Sequence, residues 1–257
     1  MKIATYNQMF GLNGTSCSRT LLAHFTAYVR GNVAKVERKS DIMRTIQVIE
    51  EANAHIIGIC EVIGKKQEVE IVRELRKNGY QYFAIGNGRK SRYKRWILKG
   101  LLASKDPYEM EILGSGESLG FSQEDGEVLH VFFPKQNFDV IFIHLLFPRG
   151  KIRKKRHAEI VKKLMAHLEF ERKGKNLLLM GDFNIRYKTL VKKYPFFQRF
   201  VNLSESLKTW SPRIFTKKFP SFDIDHILGD GFLLKNNGLI HGDSDHELLW
   251  AEVEAQN

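Results

Sequence analysis

The chain of 257 residues has little cysteine: Cys17 and Cys60 are its two thiols. Two thiols are too few for a disulfide scaffold or for a zinc site built from four cysteines. Cys60 lies within an apolar run, so we expect a buried thiol there. The fold must therefore rest on an ordinary hydrophobic core, which a chain of this length can bury.

Long apolar segments are also missing. No stretch approaches the roughly 18 consecutive apolar residues that a membrane-spanning helix needs. The first residues, Met1 to Asn7, do not contain the long apolar core of a secretory signal. These absences predict a cytoplasmic protein without an integral membrane segment.

The glycine patterns of common nucleotide-binding folds are absent as well. Residues 86–90 contain two glycines followed by Arg89 and Lys90, but they lack the spacing of a phosphate-binding P-loop. No glycine fingerprint opens the first predicted helix, which argues against a dinucleotide-dependent oxidoreductase. Repeats, low-complexity tracts and linkers rich in proline or serine are missing too, so we predict one domain over residues 1–257.

Short apolar segments alternate with segments of helical spacing. Apolar, β-branched runs predict buried strands, and apolar residues recurring every three or four positions predict helices. The predicted strands are 3–6, 55–60, 80–85, 101–103, 128–133, 139–145, 176–180, 224–228 and 248–253. The predicted helices are centred on residues 42–49, 69–75 and 152–170. This alternation predicts an α/β domain with many strands.

Basic residues outnumber acidic ones. Lys and Arg total 41 and Asp and Glu total 29, which gives a formal net charge of +12. Such a surplus favours a polyanionic partner, namely nucleic acid, an anionic membrane surface or phosphorylated metabolites. A solvated basic surface without a partner is the plainer alternative.

Two segments concentrate the positive charge. Residues 89–99 interleave Lys and Arg with aromatic residues and contain no acid, and residues 149–156 place six basic residues around the start of a predicted helix. Basic side chains bind backbone phosphates and aromatic rings stack on bases. Basic residues at a helix start oppose the helix dipole, so a purely structural reason for them is weak. The predicted nucleic-acid contacts are Arg89, Arg92, Tyr93, Lys94, Arg95, Trp96, Arg153 and Arg156.

Polar residues cluster where the predicted strands end. Each of them alone has an ordinary explanation as a turn residue or a surface histidine. Together they indicate a site, because polar groups at strand ends of a layered α/β fold converge on one rim. They are Asn7, Glu61, His144, Asp182, Asn184, Asp225, Asp245 and His246.

The order of these residues and the short motifs around them resemble those of the endonuclease/exonuclease/phosphatase superfamily, which has the fold of deoxyribonuclease I and exonuclease III. The resemblance runs from Lys2 to about Trp250. Its most specific elements are Gly181-Asp182-Phe183-Asn184 and Ser244-Asp245-His246, in that order. It implies a four-layer α/β/β/α sandwich, in which two mixed β-sheets pack face to face with helices outside. It also implies a divalent-metal-dependent phosphoester hydrolase.

The resemblance implies a metal site of oxygen ligands. Glu61 would be the main ligand, with Asn7 and Asp245 nearby. Carboxylate and amide oxygens suit Mg²⁺ or Mn²⁺, and Mg²⁺ keeps several waters, so few protein ligands are needed.

The same resemblance implies catalytic roles. Asp182 would orient or deprotonate the attacking water, and Asn184 would donate hydrogen bonds to the charge developing at phosphorus. His246, oriented by Asp225, and His144 would contact the phosphate or transfer a proton. In deoxyribonuclease I a glutamate supports the histidine that His144 resembles, and residues 92–96 offer no acidic counterpart. His226 is interpreted as a structural histidine facing the core.

Three functions stay open at this stage. The first is a metal-dependent nuclease or DNA-repair phosphodiesterase, a monomer that binds DNA rather than RNA. The second is a phosphatase or phosphodiesterase acting on a lipid headgroup or a small phosphorylated metabolite. The third, an inactive binding module, is disfavoured because every catalytic position is filled. Asp225-His226-Ile227-Leu228 departs from the Asp-Tyr-Phe of the exonuclease III branch, which argues against a dedicated abasic-site enzyme.

Overall fold

The computed structural model describes residues 1–8, 39–86, 89–90, 97–122, 125–148, 150–210, 213–214, 217–218, 221–242 and 244–256. Five of the predicted nucleic-acid contacts lie outside these residues, and for Arg89 only the backbone is described. The five are Arg92, Tyr93, Lys94, Arg95 and Trp96.

Strands and helices alternate along the described chain much as the apolar periodicity predicts. In chain order they are β1 (Lys2–Asn7), α1 (Lys39–Ala52), β2 (Ile56–Ile63), α2 (Gly64–Lys77), β3 (Tyr80–Ile85), β4 (Arg89–Lys90), β5 (Ile97–Lys105), β6 (Glu111–Ser115), β7 (Gly126–Phe133), β8 (Phe138–Leu145), α3 (Gly150–Phe170), β9 (Asn176–Asp182), α4 (Tyr187–Lys193), β10 (Val201–Asn202), β11 (Arg213–Ile214), β12 (Lys217–Lys218), β13 (Asp225–Asp230), β14 (Phe232–Ile240) and β15 (Leu248–Ala255).

The strands form two large mixed sheets. The first has the order β14-β15-β1-β2-β5-β3, with β4 also paired to β5, and the second has the order β10-β13-β9-β8-β7-β6. Within them β1 runs parallel to β2, and β8 runs parallel to β9. The predicted sandwich of two mixed sheets with helices is confirmed.

Three apolar clusters match the layers of the sandwich. The central cluster joins residues of both sheets, among them Leu102 and Phe142. A second cluster packs α1 and α2 on the first sheet, and a third packs α3 and α4 on the other. The central layer is tight: a Cβ at Gly58 would lie 2.4 Å from the Phe142 ring, so glycine is required where this ring crosses to the facing sheet.

One long strand escapes prediction. The sequence of β14 includes Asn236-Asn237-Gly238, which is typical of a turn. The strand continues through it, paired with β15, with a bulge between Leu234 and Asn236. A Cβ at Gly238 would lie 2.7 Å from the Trp250 ring on β15, so glycine suits this position. Cys60 is buried, as expected. None of the helices that the structure describes is long and apolar enough to cross a membrane.

Candidate active site

Strand register places four ionisable side chains in one row across the second sheet. Glu127 on β7 pairs with His144 on β8, His144 pairs with Asp182 on β9, and Asp182 pairs with Asp225 on β13. All four residues are buried. Residues that are register partners on adjacent strands point to the same side of a sheet, so this row forms one polar face at the sheet's edge.

A residue of the first sheet contacts this row from the facing side. Asn7, the last residue of β1, donates a hydrogen bond from Nδ2 to Asp182 Oδ2 over 3.1 Å. Its carbonyl accepts one from Ser244 Oγ at 2.8 Å, and Ser244 Oγ in turn accepts from the backbone N–H of His246 at 3.1 Å. Asn7 therefore ties together the two predicted motifs that contain Asp182 and His246.

Glu61 reaches the same spot from β2. Its Oε1 lies 3.7 Å from His144 Nε2, and Asp182 Oδ2 lies 3.6 Å from that same nitrogen. Glu61 has a positive φ of 63° and sits where the pairing of β2 with β5 shifts register. Such bulges re-aim side chains next to active sites.

Glu127 is a candidate functional residue that the sequence interpretation missed. Its Oε1 lies 3.4 Å from His144 Nδ1, so the acidic partner of His144 comes from β7 and not from residues 92–96, where it was sought. The signal was present, because Glu127 directly precedes the apolar run predicted as the strand 128–133. Counting outward from the tight turn that joins Phe133 to Phe138 places Glu127 opposite His144.

Burial and charge shift the acidity of Asp182. Burial raises the pKa of this carboxyl to about 6, the neighbouring Asp225 adds to the rise, and His246 and His144 oppose it. An acid with that pKa ionises near neutral pH and can still accept a proton.

His246 is held as an imidazolium. Its Nδ1 donates a hydrogen bond to Asp225 Oδ2 at 2.8 Å, and its Nε2 lies 4.0 Å from Asp182 Oδ2. Burial alone would lower the pKa of His246, but the charge and hydrogen bond of Asp225 outweigh it and raise the pKa to about 10. The predicted orienting role of Asp225 has the geometry it needs.

Asn184 is partly engaged by hydrogen bonds within the protein. Its Nδ2 donates a hydrogen bond to the Leu145 carbonyl at 2.8 Å, and its backbone N–H donates to Asp182 Oδ1 at 2.8 Å. One amide hydrogen is thus engaged with the protein, which leaves the second hydrogen of Nδ2 as the candidate phosphate donor.

Asp245 has an aromatic partner that sequence reasoning did not find. Trp210 Nε1 donates to Asp245 Oδ2 at 2.9 Å, and the Trp210 ring stacks on Phe222 with centroids 5.7 Å apart. Trp210 arrives from the loop after β10, for which the sequence carries no local signal. The same indole ring lies 6.4 Å from the His246 ring.

His226 is structural, as interpreted from the sequence. It is buried, and its Nε2 donates to the Ile185 carbonyl at 2.8 Å. Burial lowers its pKa, so it is neutral at pH 7. His226 is the neighbour of Asp225 on β13, and its side chain points to the opposite side of the sheet.

The donor set fits a divalent cation. One ligand atom each from Asp182, Asp225 and His246 lie within 4.8 Å of one another, all in buried residues. The imidazolium bond between His246 and Asp225 competes with metal binding there. The carboxylates of Glu61 and Asp182, which both face His144 Nε2, carry the hard oxygens that Mg²⁺ and Mn²⁺ prefer.

Strand β8 and helix α3 are both tied to the 182–184 loop. Asn184 Nδ2 donates to the Leu145 carbonyl at the end of β8, and His157 Nε2, two turns into α3, donates to the Phe183 carbonyl at 3.1 Å. Arg153 is half-exposed on this helix. Arg156, by contrast, bonds Asp125 and Ser122 at 3.1 Å each, which gives this predicted nucleic-acid contact a structural role.

No protein-family model matches the sequence, and no curated protein matches it. Solved structures do. An endonuclease/exonuclease/phosphatase from Beutenbergia cavernae is similar with a TM-score of 0.71 and 13% identity, over 100% of this chain and 72% of that one. D. rerio TDP2 complexed with a single-strand DNA product has a TM-score of 0.63 and 13% identity, over 99% of both chains.

A third similar structure is the mannosyl-6-phosphatase Bt3783 of Bacteroides thetaiotaomicron, with a TM-score of 0.63 and 18% identity over 99% of both chains. TDP2 is complexed with a single-strand DNA product and Bt3783 is a mannosyl-6-phosphatase, which accords with the rule that a fold does not fix a function. The two mixed sheets, their outer helices and the full-length match show that this chain has the endonuclease/exonuclease/phosphatase fold.

Proposed function

We propose that the protein is a Mg²⁺- or Mn²⁺-dependent phosphodiesterase that hydrolyses nucleic-acid phosphodiester bonds. The observation that carries the proposal is the row Glu127, His144, Asp182 and Asp225, which Asn7 closes from the facing sheet. Together with His246, which bonds Asp225, this row combines an acid that ionises near neutral pH with two histidines, each beside its own carboxylate. Proton transfer and charge stabilisation at a phosphate need these groups.

Glu61, with Asn7 and Asp182 beside it, would hold the metal ion, and Asp245 offers a further carboxylate. When bound, the cation supplies Lewis-acid polarisation of a phosphate oxygen and stabilises the leaving oxygen. Five buried or half-buried carboxylates surround His144 and His246 and leave this site with excess negative charge, which is a reason for it to bind a cation. They are Glu61, Glu127, Asp182, Asp225 and Asp245.

Asp182 is the residue that accepts the proton of the attacking water in this proposal. Its pKa of about 6 leaves it mostly ionised at pH 7, and Asn7 and the Asn184 backbone N–H hold its two oxygens in place. Holding a base in a fixed position supplies much of its catalytic effect.

His246 would donate a charged hydrogen bond to the phosphate. Nδ1 is occupied by Asp225, so Nε2 is the nitrogen directed at the reacting group. Glu127 lies on the Nδ1 side of His144, 3.4 Å from that nitrogen, and Nε2 of the ring faces Glu61 and Asp182. Charge-assisted bonds of this kind strengthen as negative charge builds at phosphorus.

The nucleic-acid part of the proposal rests on the exposed first turns of α3. Lys151, Lys154 and Lys155 are exposed and Arg153 is half-exposed, and in the described part of the chain none of the four forms an ion pair. Phe147, 46% exposed in the loop before α3, supplies an aromatic ring beside them. Unpaired cations next to an exposed ring suit a single strand or a duplex backbone.

A panel of phosphoesters with Mg²⁺ tests the proposal. We expect cleavage of labelled single- and double-stranded oligonucleotides or of supercoiled plasmid, abolished by EDTA and restored by Mg²⁺ or Mn²⁺. Glu61→Gln should lose most of this activity, while Glu109→Gln, a surface change away from the site, should retain it. Turnover of sugar phosphates, inositol phosphates or sphingomyelin with intact oligonucleotides would assign the alternative function. Full activity in EDTA would remove the metal from the proposal.

A further inference from the structure

The backbone of Glu61 adopts a conformation that residues other than glycine avoid. Its φ is 63°, in the left-handed region. The pairing of β2 with β5 steps from Ile59↔Leu101 to Val62↔Lys99, so one extra residue is accommodated at this point. Such outliers persist only where the surroundings hold them, and they cluster at functional sites.

Two buried glutamines hold this backbone. Gln8 donates from Nε2 to the Glu61 carbonyl and to Gln67 Oε1, each over 3.3 Å. Gln8 is 0% exposed and Gln67 is 1% exposed. Because both acceptors are oxygens, the amide orientation of Gln8 follows from its partners.

These contacts join three elements at one point. Gln8 directly follows β1, Glu61 lies in β2, and Gln67 lies in the first turns of α2. The residue before Gln8 is Asn7, which bonds Asp182. Burying two amides is unfavourable unless they are hydrogen-bonded, and an apolar pair would fill the space without that cost. The presence of polar side chains here therefore needs a reason. The Glu61 carbonyl, which accepts a hydrogen bond from Gln8, supplies that reason.

We propose that Gln8 and Gln67 are positioning residues that fix the Glu61 backbone and thereby aim its carboxylate at the metal site. This inference rests on the proposed role of Glu61 as a metal ligand. The effect is exerted through the Glu61 carbonyl, whose rotation would move the carboxylate away from His144 and Asp182.

Mn²⁺ binding measured by the electron paramagnetic resonance of free Mn²⁺ tests the inference without requiring turnover. We expect Gln8→Met to weaken the affinity about 10-fold or more, the usual effect of losing an outer support of a metal ligand. Gln67→Met should weaken it less, because Gln8 keeps its bond to Glu61. The matched control is Gln136→Met, which removes a bond to the Pro107 carbonyl on the exposed surface. It should leave Mn²⁺ affinity unchanged.

Combining Gln8→Met with Glu61→Gln separates positioning from general damage. If Gln8 acts through Glu61, the double variant should bind Mn²⁺ as weakly as Glu61→Gln alone, since coupled residues are not additive. With excess Mn²⁺, Gln8→Met should recover most of its turnover. A purely structural role would lower the melting temperature and leave the Mn²⁺ affinity of the folded protein unchanged.

The outcomes distinguish this inference from the proposed function. If Glu61→Gln weakens Mn²⁺ binding while both glutamine variants bind normally, the positioning role is wrong and the metal site stands. If Glu61→Gln binds Mn²⁺ as well as the unaltered protein, the metal site and the inference fail together. If both glutamine variants fail to fold while Gln136→Met folds, the glutamines serve stability alone and the inference is overturned.

Discussion

Glu127 Oε1 lies 3.4 Å from His144 Nδ1, and the two residues are register partners across β7 and β8. Both are buried, so the carboxylate fixes the ring and its other nitrogen, Nε2, faces Glu61 and Asp182. The pairing repeats the relationship of Asp225 to His246 on the other side of Asp182. Two carboxylate–histidine pairs thus flank one central acid.

Removing the charge of Glu127 should impair catalysis more than binding. Glu127→Gln keeps the size of the side chain but loses the carboxylate that orients His144, and we expect turnover to fall about 10- to 100-fold, as for other outer supports of site histidines. Single-turnover cleavage and substrate titration measure the two effects. A fall in affinity with unchanged turnover would contradict this role of Glu127.

The recovery of the site from the sequence has a physical explanation. Asn7, Glu61, Asp182 and His246 were predicted to share one site because each ends or precedes an apolar strand, and the structure brings them together at one rim. Glu127 was missed because its role depends on register across a hairpin. Arg156 was predicted to contact nucleic acid because it lies in the basic run 149–156; its contact with Asp125, 31 residues away, could not be predicted because no local pattern joins them.

Trp210 and β14 show a second limit of sequence reasoning. Trp210 comes from an irregular segment, and only the folded chain brings its indole to Asp245. The Asn236-Asn237-Gly238 segment has the local preference of a turn, but pairing along β15 overrides it. Tertiary context often outweighs strand preference in this way.

Variants of His246 and His226 should distinguish a loss of the chemical step from a loss of folding. His246→Ala should lower turnover by about 10² or more, because it removes a charged donor at the phosphate, with a much smaller effect on substrate affinity. His246→Gln should recover little, since glutamine carries neither proton nor charge. Asp225→Asn should reproduce part of the loss by releasing the ring.

His226→Gln is the control for that series. His226 bonds the Ile185 carbonyl away from the reacting groups, so its variant should retain the chemical step in the folded fraction. Single-turnover rates, corrected for the fraction folded, make the comparison. If His226→Gln lost the chemical step while His246→Ala kept it, the site assignment would be wrong.

The stability of the metal-free protein should depend on pH through His246. Its pKa rises from 6.5 in the unfolded chain to about 10 in the folded state, so the folded state holds the proton more tightly. The resulting stabilisation is fully present below about pH 6.5, declines above it, and is lost as the pH passes about 10. The difference in unfolding free energy between the protein and His246→Gln should therefore shrink from pH 7 to pH 10, as measured by urea unfolding in EDTA.

The matched variant His226→Gln should behave oppositely. Burial lowers the pKa of His226, so its titration removes stability only as the pH falls below about 6.5. Between pH 7 and pH 10 its difference from the unaltered protein should stay constant. Equal pH dependence for the two variants would show that the imidazolium of His246 is not the cause.

The unpaired cations of α3 should determine how strongly nucleic-acid binding depends on salt. The triple variant Lys151→Ala, Arg153→Ala, Lys154→Ala removes three charges that face solvent without an acidic partner in the described part of the chain. Each phosphate contact contributes about 0.9 to the slope of log affinity against log salt on duplex DNA and about 0.7 on single strands. If all three residues contact phosphate, the slope should fall by about 2 to 3, as measured by fluorescence anisotropy.

A control of equal charge isolates the position of these residues from the net charge of the protein. Lys135, Lys173 and Lys235 are exposed and paired with Glu109, Glu111 and Glu254 respectively. Replacing them by alanine removes the same three charges from other parts of the surface, and paired surface lysines contribute little. The slope should then stay close to that of the unaltered protein. An equal fall in both triple variants would mean that long-range charge attracts the nucleic acid, and no fall in either would favour the metabolite or lipid substrate.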